Sequence, residues 1–344
     1  MKDCLKKLMA NEDLSFAEIN DIVQKIAHNE ASDAQIGAFL VGITNKGVSN
    51  EEFYSFASAM RNFAIRVKTD KYVVDACGTG ADMSRTINIS TAASIVANTC
   101  GVNVIKQTNS SITSACGSTD FLSALGIEIT RTPQKALENF ERNGITFVHS
   151  PYFNNFAKIN NPIRQQIGIK TIFNYLGPLI NPSFPDAQLL GVSSNEMCDK
   201  MAYALMKLGT DRALVVNGLE PNLDEISICS KTRVLELKNG EISEYYLSPE
   251  DFGIKTAGLK EIQGGNGHDN ARFVTEVFKG ERQDAMFDII SLNAGAMIYL
   301  SGLKPSIKEG FKLAAETILS GKVFEKLQEL QKCGVIKSEF IKSV

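Results

Sequence analysis

The start of the chain has apolar residues spaced as on one face of an α-helix. Four of them follow Ser15, which opens a capping-box sequence, and a second apolar series begins at Ser32 and ends near Gly47. A third series follows Ser49, which opens another capping box. No strand pattern interrupts the three series. We therefore predict a small N-terminal helical domain over residues 1–68.

After residue 70, short apolar runs rich in β-branched residues alternate with helical patterns. The runs that predict strands lie at residues 72–74, 102–105, 145–148 and 213–216. Strands that alternate with helices are typical of a largely parallel sheet with helices on its faces. The stretch 284–331 is mostly helical, with an interruption near 301–305. We therefore predict the α/β fold class: a small N-terminal helical domain plus a large α/β domain, residues 70–344, with a mostly parallel central sheet.

The composition is that of a folded protein without a dominant charge. Hydrophobic residues make up 44% of the 344 residues, which is enough for a sizeable core. The 36 Lys and Arg against 39 Asp and Glu give a net charge of −3. Proteins that bind nucleic acid or anionic membranes are normally basic, so the charge balance disfavours both kinds of partner.

The sequence has none of the features of a membrane or secreted protein. It contains no run of 18 or more apolar residues, which a membrane-spanning helix requires. Its first residues lack the apolar core and the cleavage site of a signal peptide. The seven cysteines are odd in number and never spaced as Cys-x-x-Cys, which favours reduced thiols over a disulfide framework or a zinc site. We therefore expect a cytoplasmic protein.

A glycine-rich turn after the first predicted strand is the first candidate for ligand binding. Residues 75–82 read Asp-Ala-Cys-Gly-Thr-Gly-Ala-Asp, and the polar turn 88–91 opens the next helix. Glycine lets a backbone come close to a charged ligand, and a helix N-terminus attracts phosphate. Each turn, taken alone, is better explained as an ordinary strand-to-helix connection than as a ligand-binding turn, with Ser90 or Thr91 as the N-cap. The dinucleotide-binding pattern fails because its third glycine position is Met83.

The second predicted strand ends in another polar loop. Lys106 is followed by amides and hydroxyls as far as Ser114, and residues 116–120 add further polar side chains before the next helix. A solvated loop has the same composition. Because open α/β sheets bind ligands where neighbouring strands end, the two loops together favour a ligand rich in phosphate.

Asp224 and Glu225 form a pair of adjacent carboxylates just after the strand pattern at 213–216. Neighbouring residues of a strand point to opposite faces, so a pair that serves one site must lie in a loop. Carboxylates without His or Cys suit Mg²⁺, which is held partly by the phosphates of its ligand. The alternative is two solvated surface charges, and the phosphate loops shift the balance towards the metal. We expect this loop to be polar and exposed when no ligand is bound.

These motifs belong to a longer series that is found in one enzyme family. The series consists of Gly78–Asp82, Asn88–Thr91, Lys106–Ser114, Gly117–Asp120, Asn161–Arg164, Thr171–Pro182, Leu223–Glu225 and Leu292–Ala296. In this order it resembles the anthranilate phosphoribosyltransferases over nearly the whole chain. The resemblance implies a helical domain joined to an α/β domain, a homodimer, and part of the 155–183 region packed back against the N-terminal helices. It also implies Mg²⁺-dependent transfer of phosphoribose from PRPP to anthranilate, a step of tryptophan biosynthesis.

The resemblance further implies roles for individual positions of this chain. The positions that fall where the family binds PRPP are Gly78, Thr79, Ala81, Asp82, Thr86, Asn88, Ile89, Ser90, Thr91, Lys106, Gln107, Thr108, Asn109, Ser110, Ser114 and Ser118. The implied Mg²⁺ ligands are Ser90, Asp224 and Glu225. The implied anthranilate contacts are Gly78, Asn109 and Arg164. The implied catalytic residues are Lys106, Arg164, Asp224 and Glu225. A guanidinium is also the natural partner of an aromatic carboxylate, which agrees with the implied role of Arg164.

The departures from the family's motifs concentrate on the acceptor side. Gln107 and Asn154 stand where the family has histidines, and His149 stands where it has an apolar ring. Ala81 replaces a glycine of the glycine-rich loop. Amides and imidazoles share donor and acceptor roles, so drift is one explanation. A paralogue with an altered acceptor pocket is the other.

The predicted function is therefore transfer of phosphoribose from PRPP to anthranilate with release of pyrophosphate. One alternative is a phosphoribosyltransferase for another aromatic or heterocyclic acceptor. Another is a non-catalytic, nucleic-acid-binding relative, which the acidic charge balance disfavours. A third is phosphorolysis of pyrimidine nucleosides on a similar fold.

The helical domain is expected to form the homodimer contact. The resemblance implies this, and Phe39, Phe53, Phe56 and Phe63 are more aromatic surface than so small a domain readily buries. The alternative is that these rings form the domain's own core.

Overall fold

The computed structural model of the protein describes residues 1–80, 84–109, 116–154 and 162–340, with side chains as far as Cys333. Four predicted binding residues, Ala81, Asp82, Ser110 and Ser114, lie outside these ranges, as does the 155–161 part of the region expected to pack on the N-terminal helices. Within the described ranges, no helix is both long enough and apolar enough to span a membrane.

Four helices open the chain: α1 (Lys2–Met9), α2 (Phe16–Ala27), α3 (Asp33–Lys46) and α4 (Asn50–Arg61). The capping boxes predicted at Ser15 and Ser49 are both formed, and Ser32 forms a third. In each, the serine hydroxyl accepts from a backbone N–H of the first turn, while a Glu or Gln side chain accepts from the N-cap N–H. The predicted small helical domain is confirmed.

The aromatic residues of the helical domain form its core. Phe39, Phe53 and Phe56 are completely buried, and Phe63 is partly buried against the same cluster. The expectation that these rings form an exposed aromatic surface was wrong. Residues of the 163–180 segment and one face of the sheet complete the cluster, so the rings are covered by chain that is distant in sequence.

The sheet has seven strands. They are β1 (Val74–Gly78), β2 (Val104–Thr108), β3 (Ile145–His149), β4 (Ala187–Gly191), β5 (Arg212–Gly218), β6 (Thr232–Lys238) and β7 (Glu241–Leu247). Their order is β3-β2-β1-β4-β5-β6-β7. The first five are parallel, and β6 and β7 are antiparallel. The predicted mostly parallel sheet is confirmed.

Two strands extend further into polar sequence than predicted. β1 continues through Asp75, and β2 continues through Lys106 and Gln107, where the apolar pattern has ended. All three polar side chains are buried and reach hydrogen-bond partners on other segments. These partners are distant in sequence, so the apolar pattern alone placed both strands too early.

The remaining helices cover the sheet. They are α5 (Ile89–Thr99), α6 (Ser118–Ala124), α7 (Pro133–Asn143), α8 (Ser150–Phe153), α9 (helical over 162–167), α10 (Phe173–Leu176), α11 (Asn195–Lys207), α12 (Gly267–Phe278), α13 (Ala285–Leu300), α14 (Ile307–Leu319) and α15 (Lys322–Phe340), with 3₁₀ turns at Gly177–Ile180, Pro249–Phe252 and Leu259–Ile262. The predicted interruption near 301–305 is the gap between α13 and α14. One face of the sheet packs on α5 and α12–α15, and the other packs largely on α11 and the helical domain.

The strand order places a switch point between β1 and β4. From β1 the chain moves outward through β2 and β3, and it then returns to add β4 and β5 on the other side of β1. In open α/β sheets, ligands bind beyond the carboxyl ends of strands at such a point. The loops after β1 and β4 therefore mark the region where a site is expected.

Candidate active site

The ends of β1 and β4 are tied together at the switch point. The backbone N–H of Thr79 donates to the carbonyl of Gly191 (3.0 Å), and the N–H of Ser193 donates to the Thr79 hydroxyl (3.3 Å). The Thr79 side chain therefore links the two loops. These two contacts hold the first residues of the glycine-rich turn against the end of β4.

The Asp224 carboxylate lies directly against this turn. The N–H of Gly80 donates to its Oδ2 at 2.6 Å. A Cβ at position 78 would lie 2.5 Å from the same oxygen, and a Cβ at position 191 would lie 1.6 Å from the Asp224 carbonyl oxygen. Only glycine at both positions leaves room for the β5–β6 connection to cross the strand ends.

The carboxylate loop is buried, contrary to the expectation of an exposed loop. Asp224 and Glu225 are each 8% exposed. Asn293 of α13 holds the loop: its Oδ1 accepts from the N–H of Ile226 (3.0 Å), and its Nδ2 donates to the Ile226 carbonyl (3.0 Å). This bidentate contact to the next residue fixes both carboxylates without using them.

Glu225 caps helix α5. Its Oε1 accepts from the N–H of Ser90 (3.2 Å), in the first turn of a helix whose N-cap is Asn88. The prediction of Ser90 or Thr91 as the N-cap was wrong, because Asn88 precedes them and Glu225 supplies the acceptor from a distant segment. A carboxylate at this position is stabilised by the free N–H groups of the helix terminus.

Lys106 brings a buried positive charge to the same place. The side chain is 2% exposed, and its ammonium donates to the Ala76 carbonyl and to the Ser90 hydroxyl, the latter at 3.3 Å. Lys106, Ser90 and Glu225 are thus linked by successive contacts, next to the Asp224 carboxylate. The structure brings together these predicted residues from three separate segments.

The same residues fit a Mg²⁺ ion. Asp224, Glu225 and Ser90 offer hard oxygen atoms, and the missing side chain of Gly78 leaves the space that the Asp224 carboxylate occupies. Among the described residues there is no cluster of three or more His, Cys, Asp or Glu side chains that could hold a metal by itself. Mg²⁺ does not require one, because it is commonly bound through one or two carboxylates together with the phosphates of a substrate.

Asn88 connects the start of α5 to two other segments. Its Oδ1 accepts from Nδ2 of Asn270 on α12 (2.9 Å), and its Nδ2 donates to the Cys116 carbonyl (3.3 Å). Thr86, just before it, pairs in an isolated antiparallel bridge with Gln263. The predicted residues 86–90 therefore form one wall of the site, and α12 supports that wall.

Asn109 and Ser118 close the loop after β2. The N–H of Asn109 donates to the Ser118 hydroxyl at 3.1 Å, which places the first turn of α6 beside the end of β2. The Thr108 hydroxyl is buried and donates to the Val148 carbonyl (3.1 Å). Ile89 and Thr91 have buried side chains. These three residues, backbone included, are almost completely buried.

Gln107 and Asn154, the two departures from histidine, both donate to backbone carbonyls. Nε2 of Gln107 donates to Gly177, and Nδ2 of Asn154 donates to Met60 of the helical domain, each at 3.2 Å. Both side chains are buried. The Gln107 amide therefore joins β2 to the 3₁₀ turn Gly177–Ile180, and the Asn154 amide joins the end of α8 to α4.

Arg164 lies on α9, beside Ile163, which packs into the core shared with the helical domain. Its side chain is half-buried, and this burial lowers the pKa of the guanidinium from its ordinary value. Arg164 thus lies on the short helix whose Ile163 packs into the core shared with the helical domain.

His149 ends β3 in a small polar cluster. Its Nδ1 lies 3.4 Å from the Thr119 hydroxyl, and its ring contacts that of Tyr152 in a tilted arrangement, with centroids 5.6 Å apart. The guanidinium of Arg131 lies over the Tyr152 ring, 5.1 Å from the centroid of that ring. Burial and the charge of Arg131 lower the pKa of His149, so the neutral imidazole is favoured.

Four residues of the site escaped the predicted set: Gly191, Ser193, Asn270 and Asn293. Residues 187–192 form a short run of the same form as the predicted strands, and Gly191 lies near its end. Ser193 and Ser194 follow it directly, so the glycine and the two serines are a signal that could have found Gly191 and Ser193. The Asn270 contact joins helix α12 to a turn far away in sequence, so no local pattern indicates it.

Family models match both parts of the chain. A model described as "Glycosyl transferase family, helical bundle domain" matches residues 2–64, and one described as "Glycosyl transferase family, a/b domain" matches residues 70–324. Among curated proteins, the anthranilate phosphoribosyltransferase of Persephonella marina is 42% identical over 335 residues, which are 96% of this chain and 98% of that protein. That of Methanococcoides burtonii is 43% identical over 332 residues, 96% of this chain and 93% of that protein.

Solved structures of the same enzyme share the whole fold. The anthranilate phosphoribosyltransferase of Thermus thermophilus superimposes with a TM-score of 0.89 at 35% identity, covering 96% of this chain and 98% of that one. The enzyme of Saccharomyces cerevisiae in complex with PRPP and Mg gives a TM-score of 0.87 at 26% identity, covering 96% of each chain.

Proposed function

Because this chain belongs to the anthranilate phosphoribosyltransferase family, we propose that it transfers phosphoribose from PRPP to anthranilate and releases pyrophosphate, a step of tryptophan biosynthesis. The observation that carries the proposal is a pair of contacts: Asp224 accepts a hydrogen bond from the glycine-rich turn, and its neighbour Glu225 caps the N-terminus of α5. It places two hard carboxylates beside a helix N-terminus and a buried lysine, which together suit a diphosphate group.

The reaction exchanges one bond at the anomeric carbon of the ribose. The bond from this carbon to the pyrophosphate oxygen breaks, the bond to the anthranilate nitrogen forms, and the nitrogen loses a proton. An aniline nitrogen is nucleophilic when neutral, so the reaction does not require a strong general base. The main demands on the protein are orientation of the two substrates and stabilisation of the charge that develops on the leaving group.

The donor is proposed to bind along the wall that runs from β1 through α5 to β2 and α6. The residues proposed to contact PRPP are Gly78, Thr79, Ala81, Asp82, Thr86, Asn88, Ile89, Ser90, Thr91, Lys106, Gln107, Thr108, Asn109, Ser110, Ser114 and Ser118. Ile89, Thr91 and Thr108 are almost completely buried within this wall. Lys106 holds a positive charge at the Ser90 hydroxyl, where it stabilises negative charge on the phosphates.

Mg²⁺ is proposed to be held by Asp224, Glu225 and Ser90. When bound, it neutralises charge on the pyrophosphate as that group leaves. The S. cerevisiae relative with PRPP and Mg bound supports the requirement. Asn293 and the glycines at 78 and 191 contribute by fixing where the carboxylates lie.

The acceptor is proposed to bind against Arg164, Asn109 and Gly78. The guanidinium pairs with the carboxylate of anthranilate, and this pairing orients the amine towards the anomeric carbon. The amides of Gln107 and Asn154 bond to protein carbonyls, which supports conservative replacement of the family's histidines and retention of the same acceptor.

The domain division and the assembly are proposals as well. We place the helical domain at residues 1–68, with part of 155–183 packed on it, and the α/β domain at 70–344. A homodimer through the helical domain is supported by four large apolar side chains exposed there, Met9, Phe16, Val41 and Ile65. Sedimentation at micromolar concentration tests the homodimer, and a monomer contradicts it.

No disulfide joins any of the seven cysteines, all of which are described, and this supports a cytoplasmic location.

The proposed function is tested by a single assay. The purified protein, PRPP and Mg²⁺ should consume anthranilate and release one pyrophosphate for each anthranilate consumed, with the product identified by mass spectrometry. A panel of other aromatic and heterocyclic amines distinguishes an altered acceptor. Turnover of another amine with no turnover of anthranilate would overturn the assignment of the acceptor, and no release of pyrophosphate with any amine would overturn the transfer itself.

A further inference from the structure

Asp75 is a buried carboxylate that the proposed mechanism does not use. It lies on β1, three residues before Gly78, and is 0% exposed. Its Oδ2 accepts from Nδ2 of Asn181 (2.8 Å) and from Nε2 of Gln188 on β4 (3.3 Å). Burying a charge is costly unless hydrogen bonds or another charge compensate for it, so a carboxylate in this position calls for a reason.

The two partners of Asp75 hold one segment, residues 177–183, beneath the sheet. Gln188 also donates from Nε2 to the Pro178 carbonyl (2.8 Å). Asn181 belongs to the segment itself, and its Nδ2 also donates to the Ile105 carbonyl of β2 (2.8 Å). Asp75 therefore lies at the point where the segment meets β1, β2 and β4.

Three further contacts hold the same segment. Gln107 donates to the Gly177 carbonyl, Nε of Arg61 donates to the Leu179 carbonyl (2.7 Å), and Nε of Arg66 donates to the Pro182 carbonyl (3.2 Å). These residues come from the sheet, from α4 and from the chain that follows α4. The segment is thus a fixed bridge between the helical domain and the strand that carries the glycine-rich turn.

The segment continues directly from the part of the chain that carries the acceptor arginine. It follows α10, which follows α9 with Arg164. The carboxylate that anchors it lies on β1, three residues before the donor turn. Burial raises the pKa of Asp75, and the nearby charge of Lys106 opposes this rise. The ionisation of Asp75 is therefore coupled to a residue of the proposed donor side.

We propose that Asp75 is a positioning residue that sets the distance between the acceptor side and the donor side, by binding Asn181 and Gln188 and so fixing segment 177–183 under β1. The proposal rests on the proposed function, because it takes Arg164 as the anthranilate contact. Asp75 touches neither substrate and acts only through the segment that it anchors.

The first test compares two substitutions at one position. Asp75→Ala removes the acceptor of both hydrogen bonds, whereas Asp75→Asn keeps a side-chain oxygen that can accept from Asn181. We expect Asp75→Ala to raise the KM for anthranilate by about tenfold or more, since small displacements of a substrate contact have large kinetic effects, while the KM for PRPP changes by less than about threefold. Asp75→Asn should keep the anthranilate KM within about threefold of the parent.

A matched control separates positioning from general loss of a buried polar group. Thr146 on β3 has a buried hydroxyl with no hydrogen-bond partner among the described residues. Thr146→Val should leave both KM values unchanged. If Asp75→Ala does not fold, Asn181→Ala removes the same bond from its other end and should show the same separation of the two KM values.

A second measurement does not depend on activity. Hydrogen–deuterium exchange of the amides in 162–183 should be faster in Asp75→Ala than in the parent, with Asp75→Asn and Thr146→Val close to the parent. Equal rises in both KM values, an unchanged anthranilate KM, an impaired Asp75→Asn or unchanged exchange would each overturn the proposal. A parent without PRPP-dependent turnover of anthranilate would instead contradict the proposed function, and the exchange experiment would still decide the role of Asp75.

Discussion

The proposed donor side and the proposed acceptor side of this site are built in different ways. On the donor side, carboxylates, glycine backbone and a helix N-terminus interlock, and the space of two missing side chains is filled by Asp224. On the acceptor side, Gln107 and Asn154 each make an amide-to-carbonyl bond to a neighbouring segment. An imidazole can make the same kind of bond, whereas nothing larger than glycine fits beside Asp224. The difference agrees with the replacement of the family's histidines by Gln107 and Asn154 and with the retention of glycine at position 78.

The carboxylate pair is where the largest loss is expected. Asp224→Asn and Glu225→Gln keep the shape of each side chain and remove the charge that would hold Mg²⁺. We expect kcat/KM to fall by roughly 10²–10³, the range found when one electrostatic contact to a developing charge is removed. Glu220→Gln, an exposed position of the same β5–β6 connection, is the control and should remain fully active. Full activity of both variants at limiting Mg²⁺ would remove the metal assignment.

Gly191→Ala tests whether the donor side depends on close packing. Its Cβ would lie 1.6 Å from the Asp224 carbonyl oxygen, so the carboxylate loop must shift. A shift of about 1 Å at a catalytic group can reduce the rate by about a hundredfold, and we expect kcat/KM to fall by that order. Gly177→Ala is the control on the acceptor side, because nothing lies within 4 Å of its added Cβ. Equal activity of the two variants would show that the two sides tolerate change alike.

Arg164→Ala should separate the two substrates. Truncation of an arginine that pairs with a buried carboxylate typically costs about 2–5 kcal/mol. Steady-state kinetics should therefore show an anthranilate KM raised well over tenfold and a PRPP KM that is nearly unchanged. Gln165→Ala, on the same helix but exposed, should leave both values as they are. A larger effect on PRPP would move Arg164 to the donor side.

The substitutions Gln107→His and Asn154→His restore the family's residues and should have small kinetic effects. We expect the anthranilate kcat/KM of both single variants and of the double variant to stay within about threefold of the parent, since an imidazole N–H can replace an amide donor. Asn154 is 2% exposed, so the larger ring should lower the free energy of unfolding by about 1–3 kcal/mol in urea denaturation. A gain of more than tenfold on anthranilate in the double variant would favour an altered acceptor.

The smallest effect is expected for the pH dependence of His149. Burial and Arg131 lower its pKa below the ordinary value of 6.5, so below that pH the unfolded chain binds the proton more readily than the folded one. His149 should therefore decrease the free energy of unfolding as the pH falls from 6.5 towards the lowered pKa. His149→Phe, which restores the family's apolar ring, should flatten this part of the stability profile. An unchanged profile would mean that other groups determine it.

Much of the fold follows from local patterns. Ser15 and Ser49 are N-caps because their own first turns supply the partners, and such a device is complete within four residues. β3 and β5 were found because their apolar runs are short and bounded by polar residues. β4, β6 and β7 were not predicted. β7, at the antiparallel end of the sheet, is mostly exposed and mixes charged and apolar residues.

The candidate site was predictable only in part. The glycine-rich turn and the Asp-Glu pair stand out in the sequence, and the structure brings them together. The Glu225 cap on α5 and the Asn293 clamp on the carboxylate loop could not be inferred, because each joins segments separated by tens of residues. The prediction of an exposed loop at Asp224 and Glu225 was wrong for the same reason. The two carboxylates resemble surface charges in the sequence, and only the packing of α13 beside them shows that they are buried.

The sequence by itself determined the helical start, the parallel sheet, the phosphate-type turns and the family to which the chain belongs. Each of these is expressed over short spans, where spacing, capping and glycine content act directly on the backbone. The tertiary structure alone decided that Asp75 is buried under the donor turn, that Gln107 and Asn154 bond to carbonyls, and that the rings of Phe39, Phe53 and Phe56 lie in a core. Burial and hydrogen-bond partners depend on which distant segments meet, and this is settled only when the whole chain is packed.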